Sequence, residues 1–269
     1  MYEASVIVSF YNKLDDLKLV LAGLERQTYR NFEVIIADDG SNEKVVSDLK
    51  NTIGKSSLEI QHIWHEDEGF RKTKILNQGV EVSQSNYLIF LDGDCIPHSH
   101  FVEEHIKNQK PGQVLAGRRV NLPKKVSENL TPEKVRNGTL ERFYFFKVLR
   151  ELFRSDERRR QMENGFYIKS PFIRKFINNK KKGILGSNFS LFREDIYRVN
   201  GFDERYHYPA CGEDTDINMR LERAGVEVKT LKHIAIQYHL FHPQLERNEK
   251  RLDVYRHNVE NNIVYTPYG

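Results

Sequence analysis

The chain of 269 residues is 39% hydrophobic and 30% charged with a formal net charge of +4, which excludes a disordered or fibrous chain and allows a large core. No apolar run approaches the roughly 20 residues of a membrane-spanning helix, and the two cysteines, Cys95 and Cys211, make neither a disulfide framework nor a zinc site. The first residues, Met1-Tyr2-Glu3-Ala4, lack the basic and apolar regions of a signal peptide, so a single cytoplasmic α/β domain is expected.

Ser5 to Phe10 reads as a strand, and Leu14, Leu17, Leu21 and Leu24 then mark one face of a helix to Gln27. Phe32 to Ala37 is a second buried strand ending in acids, Asp38-Asp39-Gly40-Ser41, and Ser41 and Asn42 are good N-caps for a helix to Ile53. Leu58 to Trp64 reads as a third strand, Lys72 to Ser83 as a third helix and Tyr87 to Leu91 as a fourth strand. Strand midpoints recur every ~27 residues, the length of a β-turn-α unit, which predicts a parallel sheet with right-handed crossovers.

The fourth strand stops abruptly at Asp92-Gly93-Asp94. Two strands thus deliver acids to the carboxyl edge of the sheet, where open α/β folds bind ligands. Oxygen donors of this kind suit Mg²⁺ or Mn²⁺ shared with substrate phosphates, although an acidic turn closing a strand has the same appearance.

Pro97 suits the first turn of a helix carrying His98, His100 and His105. No carboxylate or thiol joins them at a ligand spacing, so ordinary surface histidines are expected there. Val114 to Val120 is a strand ending in Arg118-Arg119. From Leu122 to Lys182 there are 17 Lys/Arg against 7 Asp/Glu, a local balance of +10 that leaves −6 on the rest of the chain. Tyr144, Phe145, Phe146, Leu149, Leu152 and Phe153 mix there with Arg150, Arg154, Arg158, Arg159 and Arg160. Two readings stand: a helical insertion with a solvated basic face, or a surface that meets an anionic membrane or a lipid-diphosphate acceptor. No recognition motif accompanies the charge, so no nucleic-acid partner is expected.

Leu185 to Phe192 reads as a strand, Arg193 to Val199 as a short helix stopped by Asn200-Gly201, and Glu213 to Ala224 as a helix ended by Gly225. Val226 to Leu231 and His233 to Tyr238 look like strands, and Gln244 to Asn261 like a charged helix. Gly212-Glu213-Asp214-Thr215-Asp216 places three carboxylates in the first turn of a helix. Dipole complementarity alone explains acids there, but a carboxylate facing a metal-bound phosphate ester is also equipment for group transfer. His239 is a candidate third donor for the Asp94 site; strand alternation sends His239 and His242 to opposite sides, so only one is expected to bind. Gly69-Phe70-Arg71-Lys72-Thr73-Lys74 opens a helix where basic groups can hold a diphosphate or simply face solvent.

Ser5 to Asn12, Gln27-Thr28, Asn31 to Ser41 and Tyr87 to Asp94 together resemble the inverting family 2 glycosyltransferases of GT-A fold. Gly186 to Arg193, Asn200 to Glu204 and Gly212 to Asp216 look like a galactosyltransferase-type C-terminal region. The resemblance covers about residues 4–242 apart from the basic insertion. It implies a mixed, mainly parallel, Rossmann-like sheet flanked by helices. Residues 1–121 would form the nucleotide-sugar-binding half, 122–182 a partly helical basic insertion, 183–243 the acceptor and catalytic half, and 244–269 a C-terminal helix and tail.

The resemblance also implies roles. Ser9, Tyr11 and Asp39 would hold uridine, Asp92 the ribose or sugar, and Asp94 with His239 a Mn²⁺ or Mg²⁺ ion, while Arg71 is the candidate for the donor diphosphate on the chemistry of its basic stretch alone. Asp214 would be the base, with Glu213 beside it against acceptor or donor sugar. Where the family has Trp-Gly before this pair, the chain has Pro209-Ala210-Cys211-Gly212, a departure at the acceptor contact. The expected function is inverting transfer of a hexose or N-acetylhexosamine from a UDP-sugar to a saccharide or lipid-linked glycan, for cell-surface polysaccharide, in the cytoplasm or on the inner membrane face. A sugar-nucleotide nucleotidyltransferase should carry a Gly-rich phosphate loop where Phe10-Tyr11-Asn12-Lys13 stands, and a non-catalytic membrane-surface protein has no need of Asp92, Asp94 and Asp214.

Overall fold

The computed structural model describes residues 2–151, 165–176, 183–243 and 252–269. Leu152, Phe153, Arg154, Arg158 to Arg160 and Lys180 to Lys182 lie outside the described residues, as does the first part of the helix expected from Gln244.

The first unit runs β1 (Ala4–Phe10), α1 (Leu14–Glu25), β2 (Phe32–Asp38), α2 (Glu43–Ile53), β3 (Ile60–Trp64), α3 (Lys72–Val82) and β4 (Tyr87–Asp92). Asn42 caps α2 by accepting the Val45 N–H, the role its position suggested. These four strands are parallel neighbours in the order β3-β2-β1-β4. β1, β2 and β4 are largely apolar and, apart from Asp92 at the end of β4, buried, because helices cover both faces. Alternation divides them: Val6, Val8, Ile89 and Leu91 pack with α1 residues such as Leu17 and Leu24, while Ile7, Leu88 and Phe90 pack with Ile75, Leu76 and Val80 of α3.

The second half extends that sheet and builds another. β5 (Cys95–Pro97), α4 (Phe101–Asn108), β6 (Gln113–Ala116) and β7 (Arg118–Asn121) come next. Short helices α5 (Lys124–Ser127) and α6 (Pro132–Arg136) lead to α7 (Thr139–Glu151) and α8 (Pro171–Phe176). β8 (Asn188–Phe192), α9 (Arg193–Tyr197), α10 (Glu213–Arg223), β9 (Glu227–Thr230), β10 (Ile236–His239) and α11 (Asp253–Glu260) complete the described elements. The large sheet has seven strands ordered β3-β2-β1-β4-β8-β6-β9, with β8 antiparallel to its neighbours. The small sheet is β5-β10-β7.

Two expectations change. Pro97 closes a strand rather than opening a helix, so α4 carries only His105, while His98 and His100 precede it and stack on Tyr167. The single strand read from Val114 to Val120 is two strands in different sheets. The break is Gly117, where any Cβ would fall 2.0 Å from Asn188 Oδ1, so the Asn188 side chain requires glycine at the junction.

Candidate active site

The register sets the site. Ser9 of β1 lies opposite Asp92 of β4, and Phe10 opposite Asp38 of β2, so these strands end together. Ser9 Oγ donates to Asp92 Oδ1 at 2.7 Å. The Gly93 N–H donates to the Ser9 carbonyl at 2.8 Å, and a Cβ on Gly93 would sit 2.8 Å from that same oxygen. No larger residue fits between the two aspartates without moving β1.

The acids of β2 split in role. Asp38 is buried and structural, accepting from Ser41 N at 2.8 Å and meeting His62 Nε2 at 3.0 Å. Asp39 reaches the cleft, where it accepts from the Arg71 backbone N–H at 3.0 Å and meets His65 Nε2 at 2.8 Å. Burial pushes its carboxyl pKa up, while His65 and the Arg71 amide pull against that shift. Tyr11 is 49% exposed and donates its hydroxyl to Asp67 Oδ2 at 2.9 Å.

Within the basic stretch that opens α3, Arg71 and Lys72 differ in what they present to the cleft. The Arg71 guanidinium pairs with Glu68 and donates to the Glu66 carbonyl at 2.9 Å, so only its backbone serves the cleft. Lys72 is the cation that enters, with Nζ 2.6 Å from Asp92 Oδ1. Burial alone would lower the Lys72 pKa, but the charges of Asp92, Asp214 and Glu213 outweigh it and raise the pKa. Reciprocally, burial disfavours ionised Asp92, and Lys72 with Ser9 reverses this to hold its pKa low. Sequence position gave the signal in part, since Lys72 belongs to the basic stretch that opens α3.

Glu213 and Asp214 begin α10 after Gly212, whose φ of 100° requires glycine. Asp214 Oδ2 accepts from the Gly186 N–H at 2.9 Å, and a Cβ on Gly186 would lie 2.5 Å from Oδ1. The glycine before β8 therefore admits and orients this carboxylate. Burial raises the Glu213 pKa, the Asp214 charge raises it further, and Lys72 opposes both. Adjacent carboxyls in such unlike surroundings are suited to distinct proton-handling and binding tasks.

Asp94 Oδ2 lies 3.6 Å from His239 Nε2 and 3.6 Å from His242 Nε2, and the two imidazole nitrogens are 3.2 Å apart. Both histidines converge here, contrary to the expectation that only one would. β10 ends at His239, so strand alternation no longer governs His242, which turns back with its Nδ1 2.8 Å from the Pro243 carbonyl. One carboxylate oxygen and two ring nitrogens within 4.8 Å of one another can hold a divalent ion. A mixed nitrogen and oxygen donor set favours a borderline ion over Mg²⁺, whose sites are rich in oxygen. Burial pushes the His239 pKa down, against the pull of Asp94, toward the neutral imidazole that binds metals.

A cleft of about 530 Å³ is lined among others by Ser9, Tyr11, Asp39, Lys72, Asp92, Asp94 and His242, while His239, Glu213 and Asp214 are not among the residues that line it. That volume lies within the range of small-molecule sites. Pro209, from the loop where the Trp-Gly pattern is absent, also lines it. Neither the Arg71 side chain nor the His98–His100 pair belongs to it.

The family model for glycosyl transferase family 2 matches residues 5–199, and that for the N-terminal domain of galactosyltransferase matches residues 172–243. Among curated relatives, the chondroitin synthase of Escherichia coli is 23% identical over 255 residues, covering 92% of this chain and 36% of the relative. The hyaluronan synthase of Pasteurella multocida is 25% identical over 277 residues, covering 95% of this chain and 27% of the relative. The chain thus spans about a third or less of these two synthases. Among solved structures, the S. aureus TarS fragment 1–349 in complex with UDP-GlcNAc aligns with a TM-score of 0.54 at 15% identity, covering 94% of this chain and 61% of that one. The mannosyltransferase PcManGT from Pyrobaculum calidifontis, in complex with GDP-Man and Mn²⁺, aligns with a TM-score of 0.57 at 15% identity, covering 90% and 58%. These structures share the GT-A fold with this chain. Among the described residues, no helix is long and apolar enough to cross a membrane.

Proposed function

The chain belongs to glycosyltransferase family 2, and on that premise we propose that it transfers a hexose or N-acetylhexosamine from a UDP-sugar, with inversion, to a hydroxyl of a saccharide or lipid-linked glycan. The observation that carries this reading is the meeting of Asp92, Asp94 and Lys72 in one cleft, with Glu213 and Asp214 of α10 near enough for their charges to act on Lys72. The synthase relatives and the UDP-GlcNAc complex of a structural neighbour support a UDP-sugar donor and a glycan acceptor. Cell-surface polysaccharide synthesis on the inner membrane face is the matching setting, and the basic segment 122–182 is the part suited to an anionic bilayer.

Each residue has a task in this reading. Ser9, Tyr11 and Asp39 receive the uridine. Asp92, held by Ser9 and neutralised by Lys72, positions the ribose or the sugar. Asp94, His239 and His242 would hold Mn²⁺ or a similar ion, which when bound offsets the charge of the departing diphosphate. Asp214, fixed by the Gly186 amide, accepts the proton of the attacking hydroxyl. Glu213, with its raised pKa, hydrogen-bonds a sugar hydroxyl. Fixing donor and acceptor in line contributes several kcal/mol to lowering the barrier.

A screen of UDP-, GDP- and dTDP-sugars with Mn²⁺, followed by NMR of the anomeric proton of the product, tests the reading. A β-linked product from an α-linked UDP-sugar is expected. An α-linked product, or turnover restricted to GDP- or dTDP-sugars, would overturn it.

A further inference from the structure

Residues 252–269 hold the helix that carries Glu213 and Asp214 through a buried polar network. Asn258 is fully buried. Its Nδ2 donates to Asp216 Oδ1 at 2.8 Å and to Asp203 Oδ2 at 3.1 Å, while its Oδ1 accepts from Arg205 Nη2 at 2.8 Å. One amide thus joins two buried carboxylates that would otherwise face each other with one fewer donor. Thr266 Oγ1 adds a hydrogen bond to Asp203 Oδ2 at 2.9 Å.

Asp216 lies two residues beyond Asp214 in the first turn of α10. Its Oδ2 accepts from the fully buried Arg220 at 2.7 Å, and Arg220 in turn donates to the carbonyls of Val199 and Gly201 at 2.8 and 2.9 Å. Arg223, at the other end of α10, donates to the Asn258, Val259 and Ile263 carbonyls at 3.0, 3.2 and 3.2 Å. Leu252 and Tyr255 lie over Gly212, where a Cβ would stand at ordinary contact distance from them, 3.5 and 3.8 Å. The helix has no side-chain N-cap of its own. Its first turn is held on one side by the Gly186 amide at Asp214 and on the other by the partners of Asp216.

We propose that Asn258 is a positioning residue for the Glu213–Asp214 pair, acting through Asp216, and that residues 252–269 are a brace for catalysis rather than a passive tail. The proposal rests on the reading of Asp214 as the base. Asn258 itself touches neither the cleft nor the substrates. Misplacing a reacting group by about 1 Å can cost on the order of 100-fold in rate, so a loosened first turn is felt in turnover before it is felt in donor binding.

The test compares Asn258→Ala, Thr266→Val and Asp214→Asn in the full chain, well below each variant's Tm. For Asn258→Ala, kcat should fall about 10- to 100-fold while donor KM and the Kd for UDP stay within about twofold. Amide hydrogen exchange should quicken at residues 213–217, and Thr266→Val should show a smaller change of the same kind. An inactive Asp214→Asn beside a folded Asn258→Ala with normal kcat would overturn the brace. So would equal losses of kcat and UDP affinity, which mark general damage. If Asn258→Ala does not fold, unchanged kcat and exchange in Thr266→Val overturn the proposal. A fully active Asp214→Asn would instead remove the base reading beneath it, and the role of Asn258 with it.

Discussion

Lys72 Nζ lies 2.6 Å from Asp92 Oδ1 and within the field of both Glu213 and Asp214, so one ammonium links a strand-end carboxylate to the pair on α10. Replacing it by Met leaves three carboxylates without their shared counter-charge. The Glu213 pKa, already raised by burial and Asp214, should rise again. The acid limb of the kcat/KM profile should move up in pH and turnover should fall about 10- to 100-fold, with partial recovery in Lys72→Arg. A pH–rate profile with unchanged limbs would contradict this coupling.

Arg71 gives the contrasting case. Its guanidinium is occupied by Glu68 and the Glu66 carbonyl, and its backbone amide is what holds Asp39. Arg71→Ala keeps that amide, so donor KM should change by less than about threefold, the scale of a surface ion pair. A loss as large as that of Lys72→Met, measured by UDP-sugar titration, would restore Arg71 as a donor contact.

The cluster of Asp94, His239 and His242 predicts dependence on a divalent ion with two separable imidazole contributions. EDTA should abolish transfer and Mn²⁺ should restore it. His239→Ala and His242→Ala should each raise the Mn²⁺ concentration for half-activation about 10- to 100-fold, and Asp94→Asn should do so more strongly. Isothermal titration of Mn²⁺ in the presence of UDP gives the readout. A normal Mn²⁺ affinity in His242→Ala would leave His239 as the single imidazole donor.

Burial of neutral histidine predicts an acid limit to stability. His98 and His105 are buried, and burial lowers each pKa from 6.5 to about 4. At His98 this outweighs Glu141, 3.5 Å away, so that contact is a neutral one near pH 7. With folded values below the unfolded one, the stabilisation is complete above about pH 6.5 and is lost as the pH falls toward 4. Each group contributes on the order of 3 kcal/mol over that window. His105 meets Ser190 at 2.6 Å and Asn188 at 3.1 Å, so its replacement carries its own cost. Urea midpoints between pH 7 and 4 should fall for the parent chain and fall less for His98→Gln. A flat pH dependence would contradict it.

Much of the donor half was legible because its signals are local. The apolar runs of β1, β2 and β4, the Leu spacing of α1 and the Asn42 cap each follow from a few adjacent residues. The acids Asp39, Asp92 and Asp94 were legible for the same reason, since a strand followed by carboxylates shows in the sequence. What stayed hidden depends on distant partners. Gly117 stands between β6 and β7 because Asn188 fills the place of a Cβ there, and β5 is a strand of three residues paired with β10. Which of Arg71 and Lys72 enters the cleft is decided by Glu66 and Glu68 on the preceding loop. His242 joins Asp94 because β10 ends at His239, so strand alternation does not extend to His242. Asn258 showed no signal at all, since its meaning lies in Asp203 and Asp216.

The central claim is that Asp214 takes the proton of the acceptor hydroxyl. Asp214→Asn keeps the side-chain shape and one oxygen for the Gly186 amide, so fold and UDP affinity should be preserved. Single-turnover transfer with donor bound, measured against the parent chain, is the direct test. A fall of about 1,000-fold or more with an unchanged Kd for UDP is the expected result. Near-normal transfer in a folded Asp214→Asn would contradict the claim and point to Glu213 as the proton acceptor.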